Sequence, residues 1–247
     1  MSTKLLRLLL LLVFIAVPIA NYLPFAHGGG SGRFDDDPTT RIDAAGYAFS
    51  IWGLIFLGML LFAAFQLNNP QRSPHQRRAY VYLISAGLAS IAFVPISMTD
   101  NYVLSMINLY WHLFSLIGAV RALRRHAAAV PRVRYGWTYL APSVYLGWIS
   151  AATVIATTLG LIDLGLTVGD PTAIYIASAL VLMLTGLGNY FAQREDLAYA
   201  LTVSWALIAV AVAQSDAPFL MWLALGGAAG AGGYGLYRLV TGGRPLY

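Results

Sequence analysis

The stretch AAGYAFSIWGLIFLGMLLFAAFQ, residues 44–66, carries no charge along its whole length. About 20 apolar residues rising 1.5 Å each cross the hydrocarbon core of a bilayer, so this run predicts a membrane-spanning helix. Its entrance is marked by Gly46, Tyr47, Phe49 and Trp52. The rest of the chain has the same character: of 247 residues, 59% are hydrophobic and only 10% charged. A soluble domain averages about 25% charged residues, so this chain lacks the charge to coat a globule of its size. The sequence therefore predicts an integral membrane protein. With no cysteine, disulfides, thiolate metal sites and cysteine nucleophiles are excluded. The net charge of +5 does not mark a nucleic-acid partner, because the basic residues sit in short loops between apolar runs.

Seven further apolar runs flank the first. The run over residues 5–23 follows Lys4, a form shared with signal peptides. AVPIA at 16–20 is a poor cleavage sequence and the run is nearly long enough to span, which favours a retained helix. The loop after it holds Gly28-Gly29-Gly30 and Asp35-Asp36-Asp37. Three adjacent carboxylates can bind a cation, although such runs are more commonly solvated loops. Spans are then expected at 79–97, 102–120, 136–162, 171–193, 197–214 and 219–240, giving an all-α membrane protein of about eight transmembrane helices. With the N-terminus in the cytoplasm, thirteen of the fifteen Lys and Arg fall on the cytoplasmic side, and eight of the ten acids on the other. That split follows the positive-inside rule and places both termini in the cytoplasm.

Ser50-Ile51-Trp52-Gly53-Leu54-Ile55-Phe56 resembles the second helix of the translocator protein family (TspO, the tryptophan-rich sensory proteins), with Trp52 on the family tryptophan and Phe56 on its tyrosine. Ser50 stands where the family has proline, and Tyr47 and Phe49 depart from the family spacing. The fifth run is similar to the family's last helix: Tyr145, Trp148, Ser150 and Thr153 fall on matching positions. The family's closing asparagine has no counterpart, and Ser85 and Leu88 stand nearest its third-helix Asn and Trp. The resemblance implies a TspO-like five-helix membrane domain over residues 1–165, with a three-helix extension over 166–247. It further implies a pocket for porphyrins or sterols lined in part by Trp52 and Trp148, which would then approach one cavity. Packing between helices is the plainer role for both rings.

Spacing alone adds a second group. Asn108, Trp111, His112 and Ser115 fall at i, i+3, i+4 and i+7 and share one helix face. Polar groups turned toward lipid would be left unpaired, so the stripe is expected to face inward. His112 is the only histidine inside a span. It suits an axial ligand to a haem or other tetrapyrrole, or a hydrogen-bonding group for a ligand's polar end; a histidine joining two helices satisfies the same pattern. The expected ligand-binding set is Tyr47, Phe49, Trp52, Asn108, Trp111, His112, Tyr145 and Trp148.

Missing residues exclude other classes. The only lysine is Lys4, so no retinal can be held inside a span. One intramembrane histidine rules out a multi-haem enzyme, and there is no P-loop or nucleophile elbow. No catalytic constellation or protein metal site is seen. The expected work is binding a flat hydrophobic ligand (tetrapyrrole, sterol or isoprenoid) for sensing or transfer, in a bacterial cytoplasmic membrane. The alternative is a non-catalytic structural or assembly subunit of a larger membrane complex. Partners are then the lipid bilayer and a hydrophobic small molecule, with a homodimer or a membrane-complex partner also open, and no nucleic acid.

The absence of native cysteine makes the topology directly testable. In Ser73→Cys, an impermeant maleimide applied from outside is expected to leave the thiol unlabelled in intact cells and to label it after lysis. Labelling from outside would overturn the cytoplasmic placement of this loop.

Overall fold

The computed structural model describes residues 2–26, 40–68, 73–126, 132–167 and 169–241. The glycine run at 28–30, Arg33, the acidic run at 35–37, Arg72 and Arg244 lie outside these residues, as do the side chains of Arg132, Arg134, Trp137 and Asp170. Every regular element among the described residues is helical. α1 is Thr3–Ala26, α2 Ile51–Leu67, α3 Pro74–Ser97 and α4 Tyr102–His126. α5 is Arg132–Asp163, α6 Asp170–Gln193 and α7 Leu197–Ala213. α8, Pro218–Ala228, passes through a π turn at Ala229–Gly233 into α9, Tyr234–Val240. Among the described residues seven spans are long and apolar enough to cross a bilayer, and α7 adds a shorter apolar helix of 17 residues. The chain is a multi-pass, all-α membrane protein, as its long apolar runs predict.

One expectation is corrected. The stretch 44–66 is not a single α-helix: Gly46–Ser50 forms a 3-10 turn, and the α-helix begins only at Ile51. The entrance is held elsewhere, because the Ala45 amide donates to the Ala209 carbonyl of α7 at 3.0 Å. That bond and the tighter 3-10 winding displace the α-helical first turn.

The chain forms two compact units. The first holds α1, α2, α3, α4 and α5 as far as Pro142; the second holds residues 40–51, the rest of α5, and α6 to α9. The division falls inside α5 at a proline, which has no N–H for the helical ladder. The family resemblance read from the sequence, by contrast, runs to residue 165.

In the first unit, α1 and α3 run parallel. Arg7 lies at the Tyr80 hydroxyl, and Val13 packs where a Cβ on Gly87 would be. α1 buries Leu6, Leu10, Phe14 and Val17, one stripe of the helix. α4 runs antiparallel to α3. Its Asn108 bonds Ala89, its Ser115 meets Ser85, and a Cβ on Gly118 would stand 2.8 Å from the Tyr82 ring. The turn between them is tight enough to put Asp100 at φ 53, a conformation Asp tolerates better than most residues. At the end of α2, buried Gln66 accepts from Gln76 Nε2 at 3.2 Å and from the Tyr80 hydroxyl at 2.8 Å.

In the second unit the α6–α7 turn carries Glu195 at φ 63. This reversal brings the carboxylate of Asp196 onto the start of α7, where it accepts from the Tyr199 amide at 3.1 Å as the N-cap. α5 approaches α7 closely at Gly147: a Cβ there would lie 2.9 Å from Thr202 Cβ and 3.1 Å from the Tyr199 carbonyl oxygen. Small residues permit such approaches between membrane helices.

Gly147→Ala is therefore expected to lower stability by about 1–3 kcal/mol through overpacking, read as a fall in melting temperature. Gly186→Ala is the control. Nothing lies within 4 Å of its added methyl, so it is expected to be neutral or to gain about 0.4–1 kcal/mol from reduced chain entropy. Equal effects at both positions would contradict the close α5–α7 contact.

Candidate functional site

The second unit contains a strap, residues 40–50, laid on α5 and α7. Asp43 folds its start, accepting at 2.6 Å from both the Thr40 amide and the Thr40 hydroxyl. Gln214 Nε2 donates to the Thr40 carbonyl at 3.2 Å, and Arg41 pairs with Asp216 at 2.6 Å. Farther along, Trp205 Nε1 donates to the Ala48 carbonyl at 3.2 Å, and the Tyr47 ring meets Trp205 edge-on at 5.3 Å. Phe49 meets Trp148 edge-on at 5.7 Å. T-shaped pairs of this kind favour a fixed ring geometry.

Under the strap lies a small apolar cavity. It is lined by Ile42 and Ala44 of the strap, Trp148, Ala151, Ala152 and Ile155 of α5, Leu184 of α6, and Ala206 and Val210 of α7. Its volume is about 10 Å³, room for about one water-sized sphere. α5 presents its alanine face and the Trp148 indole here, and Trp148 is 2% exposed. The opposite side of α5 is tied down. The Ser143 hydroxyl lies 2.6 and 2.5 Å from the two oxygens of Asp196 and donates to them. About two turns farther, the Tyr199 hydroxyl donates to Ser150 at 3.0 Å, and Ser150 donates to the Leu146 carbonyl at 2.8 Å.

The eight expected ligand-binding residues divide between the units. Tyr47, Phe49, Tyr145 and Trp148 are in the second; Trp52, Asn108, Trp111 and His112 are in the first. Of the eight, Trp148 lines the cavity, and Phe49 meets it edge-on from the strap. Tyr145 is fully buried one helical turn before Trp148. Trp52 is half-buried and stacks on Phe56 at 5.3 Å, and it is not part of the cavity wall.

The α4 stripe forms its own cluster. Asn108, His112 and Ser115 are buried. Asn108 Nδ2 donates to the Ala89 carbonyl at 3.2 Å, and the Ser85 and Ser115 hydroxyls share a bond of 2.9 Å. Trp111 corrects the expectation that the whole stripe faces inward: it is 43% exposed. Its Nε1 still donates to Ser85 at 2.9 Å, so the one polar atom of the ring is satisfied while its carbons face outward, an arrangement suited to lipid.

Three parts of the site were not drawn from the sequence. Asp196 is 0% exposed, although its position in a polar turn suggests an interfacial residue; its place three residues before Tyr199 is the available cap signal. The strap and its anchors, Trp205 and the Arg41–Asp216 pair, join segments more than 150 residues apart, and no local pattern announces them. The alanine walls look like ordinary helix packing.

The cavity wall is apolar, with one aromatic ring, Trp148. None of its lining residues is a histidine or carboxylate, so this wall offers no axial ligand to the metal of a haem. Among the described residues no three His, Cys, Asp or Glu gather as a metal site. The family model described as TSPO-like protein matches residues 4–237, from α1 into α9. Comparison with curated proteins and with solved structures finds no match.

The anchors of the strap can be ranked by experiment. Trp205→Phe removes the bond to Ala48 while keeping an aromatic ring, and is expected to cost about 1 kcal/mol. Hydrogen exchange at the Ala45 amide should rise correspondingly. Asp216→Asn breaks an exposed ion pair and is expected to cost less than about 1 kcal/mol. An Ala45 amide that exchanges in the wild type as fast as an open loop would show that the strap is not held.

Proposed function

The chain belongs to the TSPO-like protein family, and from that footing we propose that it binds a flat hydrophobic ligand for sensing or transfer. The ligand class is a tetrapyrrole or a rigid sterol- or isoprenoid-sized molecule. The observation that carries this reading is the Trp148 indole beneath a strap that is held by a few hydrogen bonds and one ion pair. A flat ring placed there would gain buried area and the indole face. Ligand sites of this kind are typically about 300–1,000 Å³, so the cavity of about 10 Å³ is the closed form. Binding then requires the strap to lift, with Ile42, Ala44 and Phe49 moving as one segment. The side chains at the cavity are apolar, which supports a binding role without chemistry on the ligand. The proposed orientation puts both termini in the cytoplasm, with the strap on the opposite side.

Protoporphyrin IX titrated into the purified full-length protein tests this reading. Saturable quenching of tryptophan emission is expected. Trp148→Ala should weaken binding about tenfold, the equivalent of about 1.4 kcal/mol for a lost aromatic face. His112→Ala should leave the affinity unchanged, since His112 does not line this cavity. A loss in His112→Ala with none in Trp148→Ala would move the site to the α4 cluster. No saturable binding, together with a stoichiometric partner protein in purified material, would replace ligand binding with an assembly role.

A further inference from the structure

We propose that the basic end of the first unit is a binding surface for anionic phospholipid headgroups, which it recognises through the lipid phosphate. The packing register gathers the cations. Arg7 of α1 lies at Tyr80 of α3, so the start of α1 sits beside the start of α3. Gly118 of α4 packs on Tyr82, so the last turns of α4 come to the same end. That end therefore collects Lys4 and Arg7 from α1, Arg77 and Arg78 from α3, and Arg121, Arg124 and Arg125 from α4.

Among the described residues of the first unit, no acid lies at that end. α1, α2, α3 and α4 contain no Asp or Glu, and the α3–α4 turn that carries Asp100 is at the other end of those helices. Arg124 is engaged within the unit, donating to the Tyr139 hydroxyl and lying 5.4 Å from the centre of that ring. Lys4, Arg77, Arg78, Arg121 and Arg125 are exposed. On the same turns, Leu5, Leu8 and Val81 expose apolar side chains. The surface thus offers several positive charges at the ends of membrane-spanning helices, directly beside side chains that face acyl tails. Clusters of four to eight such cations next to a span attract anionic lipid. Orientation by the positive-inside rule requires only the number of charges; retention of particular headgroups requires their grouping, which the helix register supplies. The occupant is a lipid, because a free anion would gain nothing from the exposed leucines.

Native mass spectrometry of the full-length protein tests this, using micelles that contain phosphatidylglycerol and phosphatidylcholine in equal amounts. Preferential retention of phosphatidylglycerol is expected. Arg78→Gln combined with Arg121→Gln should reduce that preference about tenfold or more, while Arg41→Gln should leave it unchanged. Salt of about 0.5 M should weaken the wild-type preference, because exposed charges are screened over a few ångströms at that strength. Equal retention of the two lipids would overturn the proposal. So would a preference that survives in a folded double variant, or displacement of the lipid by millimolar inorganic phosphate. Should the double variant fail to fold, a wild-type preference that ignores salt would overturn the proposal on its own.

Discussion

Inside a bilayer core no water is present to take up a donor or acceptor that the chain leaves open, and each such group costs several kcal/mol or so. This constraint makes the backbone helical, and it also decides which side chains pair. In the first unit, Gln66 takes donors from Gln76 and Tyr80, and Ser85 sits between the Trp111 indole and Ser115. In the second, Ser143 serves Asp196, Tyr199 serves Ser150, and Trp205 serves the Ala48 carbonyl. Each bond is worth only about 1 kcal/mol between membrane helices. Their greater effect is directional: a helix that must satisfy a fixed partner cannot rotate or slide.

That restriction is clearest on α5. Ser143, Gly147 and Ser150 fall at i, i+4 and i+7, and all three face the start of α7: Ser143 through Asp196, Gly147 by close approach, Ser150 through Tyr199. With that face fixed, Trp148, Ala151, Ala152 and Ile155 are turned to the cavity. The buried carboxylate of Asp196 thus acts on the site at a distance. It caps α7 and bonds Ser143, one of the three contacts that hold α5 in the rotation that turns Trp148 to the cavity.

Helix number, helix type and the turns were legible in the sequence, because they rest on local signals: uninterrupted apolar length, prolines at helix starts, and charge in the connections. Pro74, Pro171 and Pro218 each stand in a helical first turn, where a missing N–H does no harm. The candidate site was legible only in part. Trp148 was identified by its match to a family pattern, and Asn108 and His112 by helical spacing. Trp111 belongs to the same spacing yet presents its carbons outward, because a tryptophan satisfies one N–H and leaves an apolar body that lipid accepts. The strap was illegible for a different reason. Residues 46–50 continue the apolar run of α2 without a break in composition, and only the distant Ala209 carbonyl and Trp205 indole convert them to a 3-10 turn.

The capture of the strap alters what the C-terminal helices are for. The motif resemblance read from the sequence implies a five-helix part and three further helices. The cavity crosses that division: Ile42 and Ala44 cover it, α5 supplies Trp148, and Leu184, Ala206 and Val210 complete its wall from α6 and α7. α7 also anchors the strap's middle section, through Ala209 and Trp205. A chain ending after α5 would keep the tryptophan but lose both the wall beside it and the points that hold its cover. The family match through residue 237 takes in these helices: α6 and α7 supply part of the cavity wall, so the apolar site depends on helices beyond α5.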